Sequence, residues 1–161
     1  ASAMARPLAG PRLPDLTFSA APDGTPVALR TTRRQGTVLL LPHAARCPDC
    51  LAYVEQLGAV EAELRDWDGR VLVVVPEPLE SATAASERLQ TPFAVLADPE
   101  GVCATRCGVE PGSMIIADQW GEIFHVHAGG PRAHAFPRPD EVVEWLRFVA
   151  IQCPECQGEA W

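Results

Sequence analysis

Lysine is absent from this chain: all 13 basic residues among the 161 are arginine. We read that as genome composition bias and not as function. Positive charge is also outnumbered, 13 basic side chains against 21 acidic, for a formal net charge of −8. The acids are scattered, so the chain lacks the basic field that nucleic acid or an anionic membrane surface would need in a partner. Long apolar runs are missing too, and none reaches the ~18 residues of a membrane span. No charged start leads into an apolar h-region, so no secretory signal is visible. Ala1-Ser2-Ala3 reads as an added stub ahead of a native start at Met4. A cytoplasmic protein with reduced cysteines is therefore expected. A chain this long suggests one domain. Such a domain buries roughly 70% of its unfolded surface and does not need disulfides to hold it together. Its six cysteines are accordingly better suspected of chemistry than of scaffolding.

Two of them carry most of the information. Cys47-Pro48-Asp49-Cys50 follows the apolar run Thr37–Leu41 and opens a stretch with helical spacing. At a strand-to-helix junction the N–H groups of the first turn point at the first sulfur, and the helix dipole favours its thiolate. The thiolate is the attacking form in disulfide exchange. Cys47 is thus expected to be the exposed nucleophile and Cys50, one turn on, the resolving thiol. Arg46 acts to lower the Cys47 pKa and Asp49 to raise it. His43, four residues earlier, is expected either to hold a proton near the thiolate or to be a plain loop residue. The alternative for the pair itself is half of a structural zinc site.

Along the chain, residues 1–9 form an expected loose arm. Asp23-Gly24 marks a turn between extended runs at Leu16–Ser19 and Pro26–Arg30. Val38–Leu41 and Val71–Val75 are continuous apolar runs, as in strands buried on both faces. Leu51, Val54, Leu57, Val60 and Leu64 predict one amphipathic helix to about Asp66. A helix is expected over Ser81–Leu89 and a short strand over Phe93–Leu96. Asp98-Pro99 is expected to start a helix ending at Cys107, capped by Gly108. Met114–Ala117 and Glu122–Val126 read as a hairpin, and Gly129–Pro139 as a loop. Asp140 opens a last helix with the stripe Val142, Leu146, Val149 and Cys153, ended by Pro154. The order ββ-β-α-β-α-β-α-β-β-α implies an α/β fold. It has a mixed central sheet, helices on both faces and an N-terminal β-hairpin extension. The domain is expected over residues 10–151, with a tail at 152–161.

This order, with Cys-x-x-Cys after the first central strand, resembles the thioredoxin fold. It is most similar to the redoxin branch, the alkyl hydroperoxide reductase/thiol-specific antioxidant family and its thioredoxin-like relatives. Gly10-Pro11-Arg12-Leu13-Pro14-Asp15-Leu16 resembles that branch's "G-x-x-x-P-D-F". Asp23-Gly24-Thr25-Pro26-Val27-Ala28-Leu29 resembles its "D-G-x-x-V-x-L" hairpin. Asp98-Pro99-Glu100-Gly101 with Cys107-Gly108-Val109 resembles "D-x-x-G…Y-G-V", and Ile115–Ile123 resembles "F-I-I-D-x-x-G-x-I". The chain also departs from its relatives. A peroxiredoxin's attacking cysteine lies in "P-x-x-x-T-x-x-C", whereas here Cys47 and Cys50 stand at plus five and plus eight from Pro42. Thioredoxins carry a buried acid six residues before the first cysteine, where this chain has Leu41. In the slot of their substrate-facing cis-proline stands Gly112, with Pro111 and Ser113 beside it.

The resemblance implies a thiol–disulfide oxidoreductase acting on a protein or small-molecule disulfide, restored by a cellular thiol reductant. No organic cofactor is implied, because the cysteine pair carries the two electrons. A peroxidase acting on hydroperoxide through the same pair is the enzymatic alternative. The non-enzymatic one is a zinc-binding or interaction module using both Cys-x-x-Cys pairs, the second being Cys153-Pro154-Glu155-Cys156. That second pair is open to four readings: an auxiliary redox relay, a metal knuckle, a disulfide-stapled tail or reduced thiols without a role. Cys103 and Cys107, spaced i, i+4, share a helix face. They are expected as small buried hydrophobes, with Cys107 the better candidate for an auxiliary thiol. His125 and His127 alternate on a strand and face one side; with no third ligand near, no metal site is assigned.

Overall fold

Six consecutive buried residues, Gly36–Leu41, form the strand around which the sheet is built. The computed structural model describes residues 11–30, 34–90, 92–134 and 136–151. The arm at residues 1–9 and the tail with Cys153 and Cys156 lie outside the described residues. In chain order the strands are β1 (Thr17–Ala20), β2 (Thr25–Ala28), β3 (Gly36–Leu41), β4 (Gly69–Val75), β5 (Ala94–Ala97), β6 (Ser113–Ala117) and β7 (Ile123–His127). The helices are α1 (Pro48–Gly58), α2 (Glu61–Asp66), α3 (Leu79–Leu89), α4 (Val102–Cys107) and α5 (Pro139–Ala150).

The sheet runs β2-β1-β5-β4-β3-β6-β7. β3 pairs in parallel with β4, and β4 with β5, through helical crossovers. β6 and β7 add antiparallel strands at one side, and the β1–β2 hairpin pairs antiparallel with β5 at the other. The expected mixed sheet is the one observed. Strand residues alternate between two cores, because successive side chains point to opposite faces. Val38, Leu40, Val71, Val73, Met114 and Ile116 meet α1, α2, α3 and α5 on one face. Leu39, Leu41, Leu72, Val74, Ile115 and Ala117 meet Leu13, Leu29 and the Cys103 of α4 on the other. Each fully buried leucine contributes about 1.5–3 kcal/mol of burial, so both faces of β3 are held firmly.

Helix boundaries differ from the sequence expectation in three places, the smallest being α3, which starts at Leu79, two residues before Ser81. The stretch expected as one helix to Asp66 breaks after Gly58. There the N–H groups of Ala59 and Val60 turn back to Gln56 and Leu57, three residues away, before α2 starts. Gly58 is a poor helix residue, and the tighter turn redirects α2 so that Leu64 is buried. The helix expected from Asp98-Pro99 begins instead at Val102. The buried Asp98 carboxylate accepts from the N–H groups of Val102 and Cys103 at 3.0 and 2.9 Å. It caps the helix from four residues upstream, so Pro99–Gly101 form a turn. The last helix buries Val142, Leu146 and Val149 as its stripe predicts. No helix among the described residues is long and apolar enough to cross a membrane.

Candidate active site

The carboxyl end of β3 feeds Pro42–Arg46 into α1, and the cysteine pair sits at that junction. Cys47 is the N-cap residue, with extended backbone (φ −67°, ψ 114°), and its carbonyl accepts the first helical bond from Leu51 at 3.0 Å. Pro48 at the first helical position loses nothing by lacking an N–H. One turn in, Cys50 is wholly buried while Cys47 stays partly exposed. Both are free thiols. An accessible sulfur followed by an occluded one is the arrangement that the spacing predicted.

Two histidines complete the site. The backbone N–H of His43 donates to Cys50 Sγ at 3.4 Å, and His43 Nδ1 lies 3.6 Å from the same sulfur. His43 Nε2 lies 2.5 Å from the Gly130 carbonyl oxygen. A carbonyl can only accept, so Nε2 carries the proton and Nδ1 is the bare nitrogen facing Cys50. His134 Nε2 stands 3.4 Å from Cys47 Sγ. The two imidazoles meet edge-on with centroids 4.6 Å apart. Burial pushes the Cys50 thiol up to about 12, with the His43 N–H opposing and the Cys47 sulfur adding to the rise. Cys50 is therefore a thiol at neutral pH and needs a base before it can attack.

The loop that brings in His134 is held at several points. Gly129 N–H donates to Ser113 Oγ at 2.8 Å, and Ser113 Oγ donates to the Glu110 carbonyl at 2.6 Å. The Tyr53 hydroxyl, from α1, donates to the Pro137 carbonyl at 2.5 Å, and Phe136 stacks on the Tyr53 ring at 4.7 Å. Gly112 faces this assembly with φ +91°, its N–H donating to the Leu41 carbonyl at 2.6 Å. A Cβ there would stand 2.5 Å from His43 Nε2 and 2.7 Å from the Ala133 carbonyl. The Pro111–Ser113 loop thus lies on the cysteine-bearing end of the sheet. The only cis peptide bond among the described residues is Ala21–Pro22, so the bond before Pro111 is trans.

Other expected site residues are placed elsewhere. The exposed Arg46 lines a cleft of about 450 Å³ with Glu80, Ser81 and Arg88. Cys103 and Cys107 sit on α4, across the sheet from α1. Cys107 is the more acidic of the two: its pKa is lowered by the Cys103 thiol and, less, by Arg106, while that contact and burial raise Cys103. His125 and His127 do face one side, Nε2 to Nε2 at 2.7 Å, with Trp145 stacked on His125 at 4.3 Å. Burial, and then His127, hold His125 below the usual histidine range. His134 carries no assigned role in the sequence reading, because its contact with Cys47 spans 87 residues.

No curated protein matches the chain in sequence. Solved structures do match in fold. A peroxidoxin BcpB from Mycobacterium tuberculosis superposes with a TM-score of 0.73 at 19% identity, over 90% of this chain and 98% of that one. AhpC from Enterococcus faecalis gives 0.73 at 19%, over 91% and 99%. A putative protein disulfide isomerase from Bacteroides thetaiotaomicron gives 0.71 at 16%, over 92% and 94%. These identities speak for the shared thioredoxin-like fold alone. The model of the AhpC/TSA family matches residues 9–146, most of the chain, and the chain belongs to that family.

Proposed function

We propose that the protein is a thiol–disulfide oxidoreductase whose working centre is Cys47 and Cys50. Family membership supports a thiol-based oxidoreductase or peroxidase. One observation carries the finer reading: a partly exposed N-cap thiol is backed, one turn on, by a fully buried thiol with a bare imidazole nitrogen at 3.6 Å. In the first step Cys47 thiolate attacks one sulfur of a substrate disulfide, forming a mixed disulfide and expelling the other sulfur as thiolate. His134 Nε2, beside Cys47, takes the Cys47 thiol proton as the attacking thiolate forms and passes it to that leaving sulfur. In the second step His43 Nδ1 accepts the Cys50 proton, and Cys50 attacks Cys47 Sγ. The substrate's second sulfur leaves as thiolate, the Cys47–Cys50 disulfide closes, and a cellular thiol reductant returns it to dithiol. The Pro111–Ser113 loop, at the cysteine-bearing end of the sheet, is assigned to substrate alignment.

Family membership also favours a second reading, reduction of a hydroperoxide. Cys47 would be oxidised to sulfenic acid with release of the alcohol or water, and Cys50 would close the disulfide with loss of water. One experiment separates the two. Reduced protein is given either a small aromatic disulfide or a hydroperoxide, and turnover is followed with a dithiol as reductant. We expect disulfide turnover to exceed peroxide turnover. Cys47→Ser should abolish it, and Cys50→Ser should trap a mixed disulfide on Cys47, seen by mass spectrometry. Retained turnover in Cys47→Ser would sink the assignment, and peroxide turnover without added disulfide would select the second reading.

A further inference from the structure

A redox pair needs two sulfurs, and a base beside the second is enough to run it. This site holds more: two imidazoles from two separate loops, one on each sulfur. His43, Cys47, Cys50 and His134 each present a ligand atom, and all four lie within 4.8 Å of one another. Among the described residues no other group of three or more potential ligands is gathered this way. Tetrahedral Zn²⁺ takes Cys sulfur at ~2.3 Å and His nitrogen at ~2.0–2.1 Å. The edges of such a tetrahedron are therefore about 3.3–3.8 Å. Two edges already have that length, Cys47 Sγ to His134 Nε2 at 3.4 Å and Cys50 Sγ to His43 Nδ1 at 3.6 Å. The remaining ones, at most 4.8 Å now, close by about 1.5 Å or less, shared between two side chains.

The surroundings are those of a built ligand set. A metal-ligating histidine is ordinarily oriented by a hydrogen bond from its other nitrogen, and His43 Nε2–H donates to the Gly130 carbonyl. That bond leaves Nδ1 unprotonated, the state a metal requires. His134 is placed by a loop that Tyr53 and Ser113 pin on either side of it. Two thiolates balance the charge of a divalent cation, so the wholly buried Cys50 would carry no net charge into the interior. Two thiolates with two neutral imidazoles in a tetrahedron suit Zn²⁺ among the common cations. The partly exposed Cys47 and exposed His134 leave a way in.

We infer that the reduced protein binds one Zn²⁺ through Cys47, Cys50, His43 Nδ1 and His134 Nε2, and that the metal masks the dithiol. Binding releases the two thiol protons. Four protein ligands close the coordination sphere, so the ion stores the pair rather than activating water. The disulfide form has no thiolate to offer and does not bind. The tail pair Cys153/Cys156 takes no part, in contrast to a four-cysteine site drawn from both Cys-x-x-Cys motifs.

The test uses the full chain, reduced and stripped of metal without oxygen, with Zn²⁺ titrated against a chromophoric chelator and Co²⁺ as spectroscopic probe. Expected are one equivalent bound, tetrahedral Co²⁺ bands with thiolate-to-metal charge transfer, and at least a hundredfold weaker binding by the disulfide form. His134→Ala, at an exposed position, should fold normally and weaken Zn²⁺ binding at least tenfold, as should His43→Ala. The double variant Cys153→Ser/Cys156→Ser should bind as the parent does. Unchanged binding in His134→Ala, loss of binding in the tail variant, or a six-coordinate Co²⁺ spectrum would each overturn the inference. Disulfide turnover of the metal-free dithiol is read separately. If it persists without Zn²⁺ binding, the metal site alone fails; if it is absent, the redox reading fails whatever the metal does.

Discussion

Replacing Gly112 by alanine should destabilise the protein by two separable effects, and a second glycine isolates them. Gly112 has φ +91° and Gly108 has φ +73°, both in the region that L side chains avoid. An alanine forced there costs about 1–2 kcal/mol from backbone strain. At Gly108 that is the whole effect, because a Cβ would meet nothing within 4 Å. At Gly112 the Cβ would stand 2.5 Å from His43 Nε2, 2.6 Å from His43 Cε1 and 2.7 Å from the Ala133 carbonyl. The imidazole could swing away only by giving up its bond to Gly130, and the Ala133 oxygen belongs to the backbone and moves only with its loop. Overpacking of this kind adds about 1–3 kcal/mol. Gly108→Ala should therefore lose about 1–2 kcal/mol and Gly112→Ala about 2–5 kcal/mol. Urea unfolding of the reduced proteins at equal slope reads the difference directly. The displaced His43 should also slow closure of the Cys47–Cys50 disulfide in Gly112→Ala and leave it unchanged in Gly108→Ala. Equal destabilisation of the two variants would refute the packing argument, and wild-type disulfide closure in Gly112→Ala would refute the role given to His43.

Two further predictions concern the same end of the sheet. Tyr53→Phe leaves the carbonyl of the buried Pro137 without its donor, which should cost about 1–3 kcal/mol in urea unfolding. It should also raise hydrogen exchange over the Gly129–Pro137 loop; an exchange pattern like the parent's would show that the loop is held by other contacts. In Cys47→Ser, alkylation of Cys50 should still climb past pH 9 without a plateau there, because burial, the chief cause of its raised ionisation, does not depend on the Cys47 sulfur. The same shift has a stability sign. A thiol raised on folding contributes fully below its ordinary value of 9.0, and that contribution is lost as the pH rises towards 12. Reduced protein should thus lose stability on the alkaline side, and an alkylation plateau near pH 9 would contradict both statements.

The parts of this fold that sequence reveals are those governed by local pattern. Val38–Leu41 and Val71–Val75 read as buried strands because unbroken apolar runs fit only a strand covered on both faces, which is where β3 and β4 lie. Cys47 and Cys50 read as a helix-start pair because proline and a three-residue spacing already place one sulfur at the cap and the next a turn inward. Other features depend on contacts that no spacing encodes. The start of α4 is set by a carboxylate reaching forward four and five residues, which overrides the helix preference of Pro99. His43 looked like a neighbour of Cys47 along the chain, yet its ring nitrogen stands on Cys50, because the loop folds back over the helix end. The histidine on Cys47 arrives from the loop after β7, the edge strand two places from β3.

Strand register links these contacts. β3 and β6 pair antiparallel with Leu41 opposite Ser113, so the residues just beyond, Pro42–His43 on one strand and Gly112 on the other, emerge side by side. The Gly112 N–H to Leu41 carbonyl bond closes that ladder. β6 in turn pairs with β7, Met114 opposite His127. The next residues of β7's exit therefore run past Ser113, whose hydroxyl receives the Gly129 N–H. One step further, Gly130 offers its carbonyl to His43, and four residues on His134 reaches Cys47. Side chains on a strand alternate between faces, so a slip of one residue in either pairing would exchange the sets that β6 sends to the two cores. With Met114 and Ile116 packed in one core and Ile115 and Ala117 in the other, that slip is strongly opposed. The positions of both imidazoles about the cysteine pair thus follow from the packing of the sheet, at a site whose own hydrogen bonds are few and partly exposed. This is why residues far apart in sequence can be held within a few ångströms of two sulfurs without a disulfide to tie them.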